Sequence, residues 1–182
     1  MKLSILICTL ETRKALFDVL LAELKKQSKG YKVEILSDCD NGEQTIGAKR
    51  NKLLQKAKGD YICYIDDDDW VDSEYISKIM EALERNPDCV QLIGVMNTNG
   101  FNTVRFDHSI NYGVYSNHNG VYYRPPNHLN PIRREIAQKF DFPESDFGED
   151  TDWALQIRDS GLLKEEEPTF KVLYHYRYKT NK

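Results

Sequence analysis

Four consecutive carboxylates, Asp66-Asp67-Asp68-Asp69, follow directly on the apolar run Tyr61 to Ile65. Like charges at adjacent positions repel, and the nearest cations along the chain are Lys58 and Lys78. A hard divalent ion relieves such a cluster. Mg²⁺ and Mn²⁺ take one or two carboxylates and complete their shells with water and phosphate oxygens. One acid could instead cap the helix that follows, with Asp72 or Ser73 offering the same service, but capping uses one carboxylate and not four. The run by itself points to a metal, and it does not choose between a sugar nucleotide, a nucleoside triphosphate and a plain Ca²⁺ site.

A second acidic group, Glu149-Asp150-Thr151-Asp152, opens a stretch in which Trp153, Leu155 and Ile157 follow as apolar residues of a helix. A carboxylate at a helix start can take a proton from a hydroxyl. The same position also suits acids that only complement the helix dipole, a role that falls to Asp152.

The elements that must position these groups alternate along the first half. Leu3 to Cys8 is an apolar run of strand length, suited to a sheet covered on both faces. Leu16, Phe17, Leu20, Leu21 and Leu24 recur at helical spacing and stop near Gln27. Val33, Ile35 and Leu36 mark a second strand, and Ile46 to Ala57 a second helix with Gly59 placed as a left-handed cap. Tyr61 to Ile65 is the third strand. A helix through Ile76, Ile79, Met80 and Leu83 then leads to the Asn86-Pro87 stop, and Val90 to Val95 is the fourth strand. Strand–helix–strand repetition implies right-handed crossovers and a parallel sheet, hence an α/β fold.

The second half is rich in Asn, Tyr and Gly between Asn97 and Asn130, which suggests antiparallel hairpins. The Tyr112 to Tyr123 segment reads as hairpin faces, with a stacking surface for a sugar or base as the alternative. Helices are expected near Arg133 to Lys139 and Thr151 to Ser160, and a last strand over Phe170 to Tyr176. His108 and His118 fall in expected loops and receive no role.

The chain has 182 residues, 30% of them charged, and a net charge of −4. That suits one globular domain and gives no electrostatic footprint for nucleic acid. Cys8, Cys39, Cys63 and Cys89 are far apart without metal-ligand spacing, so they are expected to be reduced. No stretch approaches the roughly 20 apolar residues of a membrane span, and the N-terminal run reads as a strand, so the expected address is cytoplasmic.

Lys58-Gly59-Asp60-Tyr61-Ile62-Cys63-Tyr64-Ile65-Asp66-Asp67-Asp68-Asp69-Trp70 resembles the stretch around the DXD motif of family 2 glycosyltransferases. Gly47-Ala48-Lys49-Arg50-Asn51 is similar to that family's helix start upstream, Ser4 to Leu10 to its first strand and nucleotide loop, and Gly148-Glu149-Asp150-Thr151-Asp152-Trp153 to its ED motif. The resemblance spans residue 3 to about 160.

It implies a GT-A-like, Rossmann-type fold. The central sheet would be mostly parallel, with helices on both faces and a small antiparallel β element in the second half. One domain, 1–182, would divide into a nucleotide-sugar half, 1–96, and an acceptor and catalytic half, 97–182. The implied activity is metal-dependent, inverting transfer from a nucleotide-diphosphate sugar, with a UDP-sugar preferred. The acceptor would be a hydroxyl on a glycan, lipid-linked, protein or modified-base molecule.

Residue by residue, the resemblance implies Asp68 and Asp66 as ligands of Mn²⁺ or Mg²⁺, with Asp67 beside them. Asp38 or Asp40 would read the donor base, the family's usual adjacent pair being broken here by Cys39. Thr9 and Glu11 would lie in the nucleotide loop and Arg50 against the donor. Asp150 would be the general base and Glu149 its neighbour. Many GT-A enzymes use a late histidine as a further metal ligand, which makes His175 a candidate. A hydrogen-bonded structural role suits it too, and His128 could line the site instead. The tail cations Arg177, Lys179 and Lys182 could hold diphosphate.

Two other readings stay open on the residues alone. One is a nucleotidyltransferase on a similar sheet, against which Thr9 to Lys14 lacks the glycines of an activating loop. The other is a non-catalytic nucleotide-sugar-binding module.

Overall fold

The computed structural model describes residues 1–180, so Lys182 lies outside the described residues. The chain begins with β1 (Leu3–Leu10), a 3-10 turn (Glu11–Arg13), α1 (Lys14–Gln27), β2 (Val33–Asp40), α2 (Ile46–Lys56) and β3 (Tyr61–Tyr64). Strands β2 and β3 flank β1 and both run parallel to it.

Side-chain alternation explains why helices cover this sheet on both sides. Leu3, Ile5 and Ile7 of β1 and Tyr61 and Cys63 of β3 pack in one core with Leu20 and Leu24 of α1. Leu6, Ile62 and Tyr64 face the opposite way and pack with Leu53 and Leu54 of α2. Each apolar side chain so buried contributes about 1.5–3 kcal/mol, which is why these short runs suffice.

Helix α2 ends at Ala57 in an extended conformation, so Gly59 is not the left-handed cap that the sequence suggested. Its glycine has another cause: a Cβ there would lie 2.6 Å from the Ser4 backbone nitrogen.

The middle of the chain supplies β4 (Trp70–Val71), α3 (Tyr75–Leu83), β5 (Cys89–Val90), β6 (Leu92–Thr98), β7 (Phe101–His108), β8 (Ser116–His118) and β9 (Val121–Arg124). Asp72 holds the turn before α3 by accepting the Glu74 N–H at 2.9 Å; Ser73 has no such role. The expected fourth strand, Val90 to Val95, is broken at Gln91. Val90 pairs in the first sheet, while Leu92 onward pairs with β7 in the second. His108 is the buried end of β7 and His118 lies in β8, so neither is in a loop.

The remaining elements are β10 (Ile132–Arg133), α4 (Arg134–Ala137), α5 (Glu149–Ser160), β11 (Glu166–Glu167) and β12 (Val172–Tyr178). The helix expected from Arg133 is a single turn, because Ile132 and Arg133 are taken up by antiparallel pairing with β3. The last strand starts at Val172, after Phe170, whose φ of 54° is incompatible with a strand.

The first sheet has the order β11-β5-β10-β3-β1-β2, and the second β4-β12-β6-β7-β9-β8. The fold is α/β. The hairpin region is realised as a full second sheet of mixed direction, in which β6 pairs antiparallel to β7 while β12 runs parallel to β6. The sheets do not divide at residue 96: β4 belongs to the second, and β10 and β11 return to the first.

Candidate active site

Parallel pairing brings three strand ends to one edge. Cys8 lies beside Asp38, Leu10 beside Asp40, and Leu6 beside Tyr64, so the acidic run leaves the sheet where β1 and β2 also end. Ligands of open α/β sheets bind at this carboxyl edge.

The four carboxylates turn alternately inward and outward. Asp67 and Asp69 are both 2% exposed, whereas Asp66 and Asp68 are more open. Asp67 accepts the Thr9 hydroxyl at 2.6 Å and pairs with Arg13 at 2.8 Å. Asp69 accepts the Tyr174 hydroxyl at 2.8 Å and the Arg177 N–H at 2.7 Å. Burial, reinforced by the Asp66 charge, pushes the Asp69 carboxyl up to about 8. Asp67 is thus committed to the protein's own interior, and the Thr9 hydroxyl is spent on holding it. The repulsion inferred from sequence is also relieved from afar, since Arg13 bridges Asp67 and Asp68. Sequence distance concealed this partner, which the turn after β1 carries across.

Arg50 is buried and joins two acids, with Nη1 2.7 Å from Glu149 and Nη2 3.2 Å from Asp66. Tyr64 donates its hydroxyl to the Arg50 carbonyl at 2.8 Å. The guanidinium carbon lies 5.7 Å and 5.5 Å from the Tyr64 and Phe142 ring centres. Burial works against the charge of Arg50, but Asp66 and Glu149 outweigh it and raise its pKa. Two of the guanidinium nitrogens of Arg50 are thus taken up by the carboxylates of Asp66 and Glu149. Glu149, 4% exposed, is its partner and not an acid open to substrate.

His128 stands between the two acidic motifs. Its Nε2 is 3.7 Å from Asp66 and its Nδ1 3.5 Å from Asp150. Neither buried nitrogen has a hydrogen-bond partner among the described residues. Burial opposes ionisation of Asp66, yet His128, Arg50 and Arg13 hold its carboxyl well below the usual range. Asp150 accepts the Thr151 N–H at 2.8 Å and keeps a third of its side chain exposed. It lines, with Asp66, a cleft of about 420 Å³ whose wall is the second sheet. Asp152 lies in the first turn of α5, whose N-cap is Gly148 without a side-chain capping bond.

The two candidate base readers are both tied to α2. Asp38 pairs with Lys52 at 2.9 Å, and Asp40 with the buried Lys49. Lys49 also donates to the Thr9 carbonyl at 2.9 Å, and its bond holds Asp40 down at about 2. Asp40 further accepts the N–H groups of Gly42 and Gln44, closing the loop above β2. Beyond its ion pair, Asp38 Oδ2 is buried without a hydrogen-bond partner among the described residues, whereas both oxygens of Asp40 accept bonds. Glu11 is exposed and accepts the Cys39 thiol at 3.4 Å. All four cysteines are free.

His175 is not brought to the acidic run. It pairs with Trp70 on β4, and it lines a separate cleft with Trp70 and Asn97. Tyr174, its neighbour on the strand, is the residue that reaches Asp69. No group of three or more His, Cys, Asp or Glu side chains forms a metal cage among the described residues. Asp66 and Asp68 are the more exposed of the four acids and could offer at most two ligands to an ion, and in this structure each is paired with an arginine, Arg50 and Arg13. Their cleft, about 400 Å³, is also lined by Arg177 and Lys179. No helix is long and apolar enough to cross a membrane.

A mostly parallel sheet covered by helices, with an acidic run at the carboxyl edge of its parallel strands and a second sheet alongside, is the GT-A class of fold. Residues 18–156 match the family described as glycosyl transferase family 2, and the chain belongs to that family. It is 36% identical over 47 residues, 26% of its length, to "Putative glycosyltransferase EpsH" of Bacillus subtilis (strain 168), and this covers 14% of that protein. Among solved structures it resembles S. aureus TarS 1-349 in complex with UDP, with a TM-score of 0.66 and 16% identity over 97% of this chain. The complex of the same protein with UDP-GlcNAc gives 0.65 and 13% over 100%. The chain spans 60% of those TarS chains. Family membership sets the nucleotidyltransferase reading aside.

Proposed function

We propose that this chain performs metal-assisted, inverting transfer of a sugar from a nucleotide-diphosphate sugar, UDP-linked in the first instance, to a hydroxyl acceptor. The observation that carries the reading is the position of His128 between Asp66 and Asp150. Asp66 lines both the cleft that holds Asp68, Arg177 and Lys179 and the cleft that holds Asp150, so the two clefts meet at this carboxylate. Inversion needs the leaving group on one side of the anomeric carbon and the base on the other, which a donor with its diphosphate at Asp68 and its sugar toward Asp150 would provide.

In this reading the acceptor oxygen bonds to the anomeric carbon as the bond from that carbon to the diphosphate oxygen breaks with its electron pair. The hydroxyl proton passes to Asp150. Arg50 and Glu149 hold Asp66 in place, and Arg177 and Lys179 meet the diphosphate. Asp66 and Asp68 would hold Mn²⁺ or Mg²⁺, which when bound offsets charge on the departing diphosphate. The donor base would lie in the cleft of about 390 Å³ bounded by Thr9, Leu10, Gln44 and Lys49. Asp40 or Asp38 would act there beside its lysine. The TarS complexes with UDP and UDP-GlcNAc support a uridine donor. We place the reaction in the cytoplasm, in keeping with the free cysteines.

Calorimetric titration with UDP and other nucleoside diphosphates, with and without Mn²⁺, tests the reading. UDP should bind more tightly with Mn²⁺, and Asp68→Ala should remove that gain. Failure of every nucleoside diphosphate to bind would end it.

A further inference from the structure

The cleft that holds Asp150 carries a cation that the transfer chemistry does not use. Arg124, the last residue of β9, lines it together with Tyr115, Tyr122 and Tyr176. Its guanidinium carbon lies 4.7 Å from the Tyr115 ring centre and 5.0 Å from that of Tyr122. Its Nη1 donates to the carbonyls of Ser116 and Tyr123, both at 2.9 Å. These contacts fix the plane of the fork and leave Nε and Nη2 without a protein acceptor among the described residues. No carboxylate pairs with it among the described residues, in contrast to Arg13 and Arg50, which both have carboxylate partners.

A guanidinium held by aromatic faces and main-chain carbonyls, inside a concave wall and without a counter-charge, is prepared for an anion in a planar, two-pronged contact. The tyrosines beside it offer flat apolar faces with hydroxyl rims, which suit a sugar ring. Asp66 and Asp150 line the same cleft and would repel an anion set beside them. The charged group of a ligand therefore belongs at Arg124, and a neutral hydroxyl at Asp150.

We propose that the acceptor is an acidic saccharide, a sugar unit whose ring lies on the tyrosine wall and whose carboxylate or phosphate pairs with Arg124 while a hydroxyl meets Asp150. This rests on the glycosyl-transfer reading of the site.

The test is equilibrium binding to the full chain without donor. The probes are a galacturonic acid trisaccharide, its neutral galactose counterpart, glucose 6-phosphate and glucose. At least one acidic probe should bind about tenfold or more tightly than its neutral partner, the step expected when a hydrogen bond to a charged group is gained. The uronate and phosphate arms tell which anion the site takes. Arg124→Gln should abolish the preference, Arg124→Lys should restore part of it, and UDP affinity should be the same in all three proteins. Equal binding of acidic and neutral probes, or no saccharide binding, overturns the proposal while leaving the donor reading intact. Loss of UDP binding in the unaltered chain instead defeats the donor reading, whatever the saccharides do.

Discussion

Arg50 of α2 and Glu149 of α5 meet at 2.7 Å with both side chains almost wholly buried, and the same guanidinium reaches Asp66 at 3.2 Å. One cation thereby fixes the acidic run relative to the helix that carries Asp150. Breaking a buried pair by removing one partner is costly, because the other charge is left without compensation. Arg50→Met should lower the free energy of unfolding by about 3–5 kcal/mol. Arg50→Met with Glu149→Leu should recover part of this loss, as measured by urea denaturation. A double variant no more stable than the single one would contradict the pairing.

Asp150 is open to the cleft walled by the second sheet, has His128 Nδ1 3.5 Å away and accepts the Thr151 N–H. Asp150→Asn keeps that bond and removes the proton acceptor. Transfer should fall by about a hundredfold or more while UDP affinity stays within twofold. Normal turnover by this variant would place the base elsewhere.

Gly47 sits where α2 docks on the segment before α5. A Cβ there would lie 1.8 Å from the Pro143 carbonyl oxygen, and the Gly47 N–H donates to Ser145 at 3.2 Å. Gly47→Ala should cost about 1–3 kcal/mol of stability. It should weaken UDP binding as well, because Asp146, on the displaced segment, lines the cleft with Thr9 and Lys49. An alanine variant with unchanged unfolding and UDP titration curves would mean the contact is relaxed in solution.

His108 is 5% exposed, and burial, followed by the nearby His128, lowers its pKa to about 3. In the unfolded chain the imidazole takes a proton near pH 6.5; in the folded chain it does not until about pH 3. The unfolded state therefore binds more protons in this window, and stability declines as pH falls from 6.5 toward 3. This one group contributes up to about 1.4 kcal/mol per pH unit to the decline. His108→Leu should flatten the dependence of unfolding free energy on pH between 4 and 6.5 relative to the parent chain. Parallel curves would exclude His108 as the source.

The sequence made the α/β half legible because the apolar runs of β1 and β3 and the spacing in α1 and α2 report burial directly. The choice of Asp66 and Asp68 over their neighbours came from the family resemblance; the structure adds only that these two are the more exposed of the four. What stayed hidden depended on long-range partners. Arg13 meets Asp67 and Asp68, Lys49 and Lys52 occupy Asp40 and Asp38, and His128 rather than His175 stands at the acids, because tertiary pairing decides which charges are free. The second sheet was foreseen only as hairpins: strands as short as β4, β10 and β11 carry too few residues to show a period. A helix-to-strand cue such as Gly59 misled because steric closeness to Ser4, and not backbone conformation, requires it.

The break at Gln91 ties the two sheets together with no slack at this crossing. Val90 is hydrogen-bonded toward one sheet and Leu92 pairs in the other. A hinge needs a few residues free to change their torsions, and this crossing has none to spare. The chain also passes between the sheets from β3 to β4, β4 to β5, β9 to β10 and β11 to β12. Swinging one sheet away from the other would strain every one of these crossings, so the cleft that holds Asp150 is expected to keep the same shape empty and filled.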